Sequence, residues 1–365
     1  MALSGVLRDS LRRSGLSLLV RSPVSSALGV RPLSELAFQQ IEAGEEYAMW
    51  MGQPPRKAET DDRPHTYSRW PEKQSGEMRS AILVHGLLGS GRNWRTFSKG
   101  LVADLSEATQ CPWTFFLVDL RNHGKTYGRS GFTEPHDMPS SARDLVHFAG
   151  TVVRNKCGRA PDAVIGHSLG GKVVLEYVKQ MAEQAELEPP AQAWVLDSVP
   201  GEVPLDNSGV PEVLETIKKI PDPIPSKDWL AKHLKQEGYS QGLIHWLGTS
   251  LVPHREVKQG LSWQFDVHAA ASMYISYRVT PYWTLLERPP PKTEIHIVRA
   301  ADSDRWTEDV LSGLDKAVAA SREHPDSGAL HHLELPNAGH WLHVDNPRGL
   351  HEMMLKGMSK LANPS

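Results

Sequence analysis

The chain has 365 residues, a formal net charge of −3, 39% hydrophobic and 23% charged residues, enough material for one large α/β domain with a real core. That balance provides no basic field for nucleic acid, and no apolar run approaches the roughly 20 residues that span a bilayer. Two cysteines, Cys111 and Cys157, cannot build a disulfide framework and suit a reducing compartment.

Residues 1–34 differ from everything after them, with five arginines and eight serines against one acid, Asp9. Leu3, Leu7, Leu11 and Leu18 recur near helical spacing, and Arg8, Arg12 and Arg13 lie largely off that stripe. Such a profile predicts an organelle transit peptide, mitochondrial rather than chloroplast because of the arginines; a cytoplasmic protein with a basic tail is the alternative. Residues 54–80 are polar and punctuated by proline, as in a long connection or irregular hairpin.

From Ala81 the pattern becomes short apolar runs alternating with amphipathic segments. AILVHG, FFLVDL, DAVIGHS, AWVLDS and EIHIVRA each end in turn-forming or polar residues. Uninterrupted apolar runs of this length suit strands buried on both faces of a parallel sheet. SARDLVHFAGTVVRNK and GGKVVLEYVKQMAEQ read as the helices between them. The predicted class is α/β, a doubly wound sheet with helices on both faces. Residues 200–290 break the alternation, with candidate helices such as PEVLETIKKI and SKDWLAKHLKQEG, the second N-capped by Ser226, and no convincing strand. This stretch reads as a helical cap over the carboxyl ends of the strands, where such folds bind ligands. The predicted division is a core over 35–199, a cap over 200–290 and the remaining core over 291–365.

The strongest chemical signal is AVIGHSLGGK, in which Gly166 to Gly170 form G-x-S-x-G between a strand and a helix. That context marks a nucleophile elbow with Ser168 exposed on a strained turn. The two glycines leave room for the backbone to pack, and Gly171 adds slack. A serine needs a base, and His340 in NAGHWLHVDNP follows the strand-like HHLELP, in the nucleophile-before-histidine order of such sites. His343, His331 and His332 lie nearby in sequence, the last two inside a strand pattern. VHGLLGSG places a glycine-rich loop after another strand, so the backbone N–H groups of Leu87 and Leu169 are the expected oxyanion donors. Read instead as a dinucleotide loop, Gly86, Gly89 and Gly91 have the wrong spacing. His340 and His343 form an H-x-x-H pair without a carboxylate-bearing helix, so no metal and no organic cofactor is expected. Epoxide and haloalkane chemistry is disfavoured, because Ser168 stands where those enzymes carry an aspartate.

VHGLLGS, DLRNHGKT, GHSLGGK and NAGHWLHVDNP occur in an order that resembles the α/β-hydrolase superfamily over roughly residues 80–360. GHSLGGK, WQFD and AGHWLHVDNP look more narrowly like the group of α/β-hydrolase domain-containing protein 11 and small bacterial esterases. The resemblance implies an α/β-hydrolase fold with a helical cap after the sixth strand and a serine hydrolase cleaving esters, or thioesters, of short or medium acyl chains. It also implies Ser168 as nucleophile, His340 as base and Leu87 with Leu169 as oxyanion donors. In the wider superfamily the orienting acid follows the late strand, where alignment of IHIVRA puts Ser303 at the aspartate position, flanked by Asp302 and Asp304. The narrower group places its acid after the preceding strand, which is Asp197 here. Asp197 is therefore the expected acid, with Asp304 and then Asp302 as alternatives and Ser303 as a supporting hydrogen-bond donor. Asp119 to Gly124 are expected to brace the site, and Trp229, Trp246, Trp263 and Trp283 could line an acyl pocket. A small-molecule ester or an acylated protein is the expected partner. A slow-turnover ligand or protein receptor, or a carbon–carbon bond hydrolase or lyase, remains open on the same triad.

Overall fold

The computed structural model describes residues 35–43, 77–184, 188–204 and 209–362. The expected transit segment and most of the polar connection over 54–80 lie outside the described residues. The apolar runs become β2 (Arg79–Val84), β3 (Trp113–Val118), β4 (Ala163–His167), β5 (Gln192–Leu196) and β8 (Glu294–Ala300). β1 (Phe38–Glu42) and β9 (Ala329–Leu335) complete a seven-stranded sheet of order β1-β3-β2-β4-β5-β8-β9. All neighbours in it are parallel except β1, which pairs antiparallel with β3. β1 is absent from the sequence expectation because FQQIE has only two apolar residues; the unpaired edge of β3 makes it a strand.

Alternate residues of each central strand enter opposite cores. Ile82, Val84, Val164, Ala193 and Val195 join one apolar cluster; Ala81, Leu83, Ile165, Trp194 and Leu196 join the other. The first is covered by α2 (Met138–Phe148), α4 (Leu169–Glu183) and α10 (Glu308–Arg322); the second by α1 (Arg95–Thr109) and α12 (Pro347–Met358). α2 runs through a π-helical turn at Ala149–Val153 into α3 (Arg154–Cys157), matching the single long helix expected there.

Between β5 and β8 the chain forms α5 (Val210–Lys219), α6 (Lys227–Gln236), α7 (Gln241–Gly248), α8 (Val267–Val279) and α9 (Trp283–Glu287). Ser226 caps α6 as expected, its Oγ accepting from Trp229 N at 3.0 Å. The expectation of no strand in this stretch is corrected by a hairpin, β6 (Leu251–Pro253) with β7 (Leu261–Trp263). Three-residue strands are too short to show a period of two in the sequence. The insertion follows β5, the fifth strand among the described residues, with residues 44–76 outside them. It is pinned to the sheet by the Lys172 ammonium on α4, which is fully buried and donates to Gly201 O (2.6 Å), Tyr277 O (2.6 Å) and Thr280 O (2.8 Å).

Candidate active site

Ser168 sits between β4 and α4 at φ 53°, ψ −122°, a conformation that L residues rarely adopt and that elbows use to expose a nucleophile. Such a turn closes only if its flanks lack side chains. A Cβ on Gly166 would lie 2.1 Å from Gly170 O, and one on Gly170 would lie 2.5 Å from His85 O. Gly171 does not add slack as expected. A Cβ there would meet Ser198 Cβ at 2.5 Å, so its smallness lets α4 pack against the end of β5.

α11 (Leu342–Asp345) follows the loop behind β9 that carries His340. Ser168 Oγ lies 3.1 Å from His340 Nε2, and His340 Nδ1 lies 2.7 Å from Asp197 Oδ2. Asp197 ends β5 at φ 44°, which aspartate tolerates better than most residues. The carboxylate is fully buried and receives three further bonds: Ser303 Oγ to Oδ2 (2.8 Å), Trp306 Nε1 to Oδ1 (2.7 Å) and Ala300 N to Oδ1 (3.1 Å). Burial alone would push its pKa up; the bonds from His340, Trp306 and Ala300 outweigh burial and hold it below the usual carboxylate value. Asp304 and Asp302, the alternatives in the late loop, are both exposed and neither bonds to His340. Their loop instead contributes Ser303 and Trp306 to Asp197.

The His340 loop is fastened twice. Asp302 N donates to Ala338 O at 2.9 Å, and His167 Nε2 donates to the His340 carbonyl at 2.7 Å. Burial, then the Arg305 charge, lower the His340 pKa, while Asp197 works in the opposite direction. The imidazole is therefore a base available at neutral pH.

Leu87 and Leu169 line the same cavity as Ser168 and His340. The loop bearing Leu87 is braced by two buried histidines. His85 Nδ1 donates to Gly86 O (2.7 Å) and its Nε2 accepts from Leu120 N (3.0 Å). His123 Nδ1 donates to Arg121 O (2.9 Å) and its Nε2 accepts from Leu88 N (3.0 Å). Each ring thus uses one nitrogen as donor and one as acceptor, the neutral form, and burial pulls their pKa values down to about 4 and about 3. Asp119 Oδ1 accepts from Gly91 N (2.7 Å), and Arg121 grips Asp144 with both Nε and Nη2. The bracing role expected of Asp119 to Gly124 is visible in these bonds.

The cavity measures about 310 Å³. Of the four tryptophans expected near it, only Trp246 lines it. Trp229 stacks on His233, Trp263 on Phe265, and Trp283 packs over Gly201 and Gly313. Trp94 and Trp341 line it instead, from the sheet side. His343 also lines it and stacks on Trp94 at 4.0 Å, whereas His331 and His332 on β9 are not among its lining residues. Away from the cavity, Glu294, His296 and His331 bring potential metal-binding atoms within 4.8 Å of one another near the amino ends of β8 and β9. Trp306, Arg305, His167 and Lys172 escaped the sequence reading. Only the position of Arg305 and Trp306 in the loop that also carries Ser303 offered a signal.

The model of the Alpha/beta hydrolase family matches residues 81–352. The chain belongs to that family. It is related to sn-1-specific diacylglycerol lipase ABHD11 of Danio rerio, 24% identical over 74% of this chain and 76% of that protein. It is also related to esterase YbfF of Escherichia coli, 24% identical over 73% of this chain and 87% of YbfF. A shorter stretch is 36% identical to ethanol acetyltransferase 1 of Kluyveromyces marxianus, over 34% of this chain and 28% of that protein. Among solved structures, a marine microorganism esterase superposes with a TM-score of 0.61 at 19% identity, covering 88% of this chain and 98% of that one, a likeness of fold.

Proposed function

We propose that the protein is a serine esterase that hydrolyses carboxylic esters, and thioesters, of short or medium acyl chains through an acyl-enzyme. The observation that carries this reading is the unbroken hydrogen-bond chain from Asp197 through His340 to Ser168, ending at a largely apolar cavity. His340 Nε2 takes the Ser168 proton as Oγ attacks the ester carbonyl. Negative charge then develops on the carbonyl oxygen, where the Leu87 and Leu169 N–H groups and the α4 amino terminus receive it. His340 returns the proton to the leaving alcohol, then deprotonates water to release the acid. Asp197 holds the imidazole in the Nδ1–H tautomer and stabilises the imidazolium. A volume of about 310 Å³ lies at the small end of ligand sites and suits a short or medium acyl group.

A second reading is acyl transfer to an alcohol, which uses the same acyl-enzyme and is supported by the ethanol acetyltransferase 1 likeness. One assay separates these readings: p-nitrophenyl butyrate turnover by wild type, Asp197→Asn and Ser168→Ala, with ethanol present and products quantified. The expected result is butyrate as the main product, a loss of about 10⁴-fold for Asp197→Asn, and Ser168→Ala at background. Ethyl butyrate as the main product would favour transfer. An Asp197→Asn enzyme close to wild type would remove Asp197 from the mechanism.

A further inference from the structure

The cavity beside Ser168 contains one charge that the ester reading does not use. Arg305, on the loop after β8, lines it; no aspartate, glutamate or lysine among the described residues does. The other lining residues able to become cationic are His85, His167, His340 and His343, and burial lowers the pKa of every one of them. At neutral pH Arg305 is therefore the only cationic side chain among the described lining residues. Its Nε–H is buried and has no hydrogen-bond partner. An unpaired buried donor on a cation is costly, and Tyr277, which Arg305 acts on, lines the same cavity.

Arg305 also works against the reaction when left alone. Its charge acts on His340 and His167 against the imidazolium that must form during acylation, while Asp197 and Asp304 act on His340 in the other direction. An anion on the guanidinium would offset that opposition. With a single cation in the lining, a monoanion matches, whereas a phosphate dianion would keep an uncompensated charge. Guanidinium and carboxylate also match in geometry.

We propose that Arg305 binds a free carboxylate on the substrate, so that the preferred esters are those carrying a second, unesterified carboxylate. This rests on the serine esterase reading and sharpens its substrate class. The carboxylate can lie on the acyl side, as in a half-ester of a dicarboxylic acid, or on the alcohol side, as in an acylated hydroxy acid.

The test compares kcat/KM, followed by pH-stat, for ethyl hydrogen adipate against ethyl hexanoate, and for 4-acetoxybutanoate against butyl acetate. Wild type is expected to favour the carboxylate-bearing member of at least one pair by roughly ten- to a hundredfold, the size of one charge-assisted hydrogen bond. Whichever pair shows it identifies the side. Arg305→Met is expected to abolish that ratio and Arg305→Lys to restore part of it. Wild type without a preference in either pair overturns the proposal. So does an Arg305→Met enzyme that loses activity equally on charged and neutral esters, which would assign Arg305 to transition-state charge instead. If no ester is turned over, the esterase reading fails by itself. Calorimetric binding of ethyl hydrogen adipate to Ser168→Ala then decides the carboxylate site: binding lost in the Ser168→Ala, Arg305→Met double variant supports it, and no binding overturns it.

Discussion

Asp197 shows how a carboxylate is kept ionised at zero exposure. Its two oxygens accept four bonds, from His340, Ser303, Trp306 and the Ala300 amide, and removing any donor leaves an acceptor short in a site closed to water. Trp306 is the largest of these partners and the one that no motif announces. Trp306→Phe keeps an aromatic ring at this position, deletes the Nε1–H and gives up the volume of the second ring. The expected outcome is a fall in kcat/KM of roughly ten- to a hundredfold at unchanged KM, since a bond to a charged group contributes about 1.5–3 kcal/mol. Unchanged kcat would show that three donors suffice to hold the carboxylate.

Between elements, the contact that organises the site is Lys172. An ammonium has three protons, and here all three go to carbonyls of the insertion: Gly201 near its start, Tyr277 and Thr280 at the end of α8. A cation at a helix carboxyl end also meets the favourable end of the dipole. Burial pulls the Lys172 pKa down to about 7, while the Glu202 charge favours the protonated form. Lys172→Met fills similar space and leaves three carbonyls without a donor. We expect a loss on the order of 2–4 kcal/mol in urea unfolding, accompanied by faster proteolysis within residues 200–290 than in β4 or β5. A variant as stable as wild type would mean that α8 is held by its apolar face alone. The helices of this insertion were legible in the sequence because PEVLETIKKI and SKDWLAKHLKQEG repeat apolar residues at helical spacing. β1 and the β6–β7 hairpin were not, since their pairing partners lie elsewhere in the chain or in strands of three residues.

Across the molecule, five histidines around the site are buried with depressed pKa values: His85 and His343 at about 4, His123 at about 3, His167 well below the usual value, and His340 below it. Burial is the largest cause in each. Since each folded value lies below the unfolded one, the unfolded chain binds more protons as pH drops below about 6.5, and acid favours unfolding. The raised carboxyls of Asp119 and Asp144 oppose this, and the lowered carboxyls of Asp197 and Glu294 add to it. Urea midpoints should therefore fall between pH 6.5 and 4, each fully titrating histidine adding about 1.4 kcal/mol per pH unit. Stability that rises on acidification through this window would contradict neutral, buried rings.

The sequence by itself determined the buried parallel strands, the elbow at Ser168 and the histidine at His340; the family resemblance added Asp197 as the expected acid, with Asp304 and Asp302 as alternatives. Each of these is a local pattern, an apolar run, a glycine pair or a residue at a strand end, and local patterns survive in one dimension. Only the tertiary structure decided what surrounds them. Trp306 reaches Asp197 across 109 positions and His340 reaches Ser168 across 172. Arg305 shares a cavity with Trp246 and Leu87 because the insertion folds back over the sheet. Such contacts depend on where chain segments pack against one another, and no spacing in the sequence encodes them.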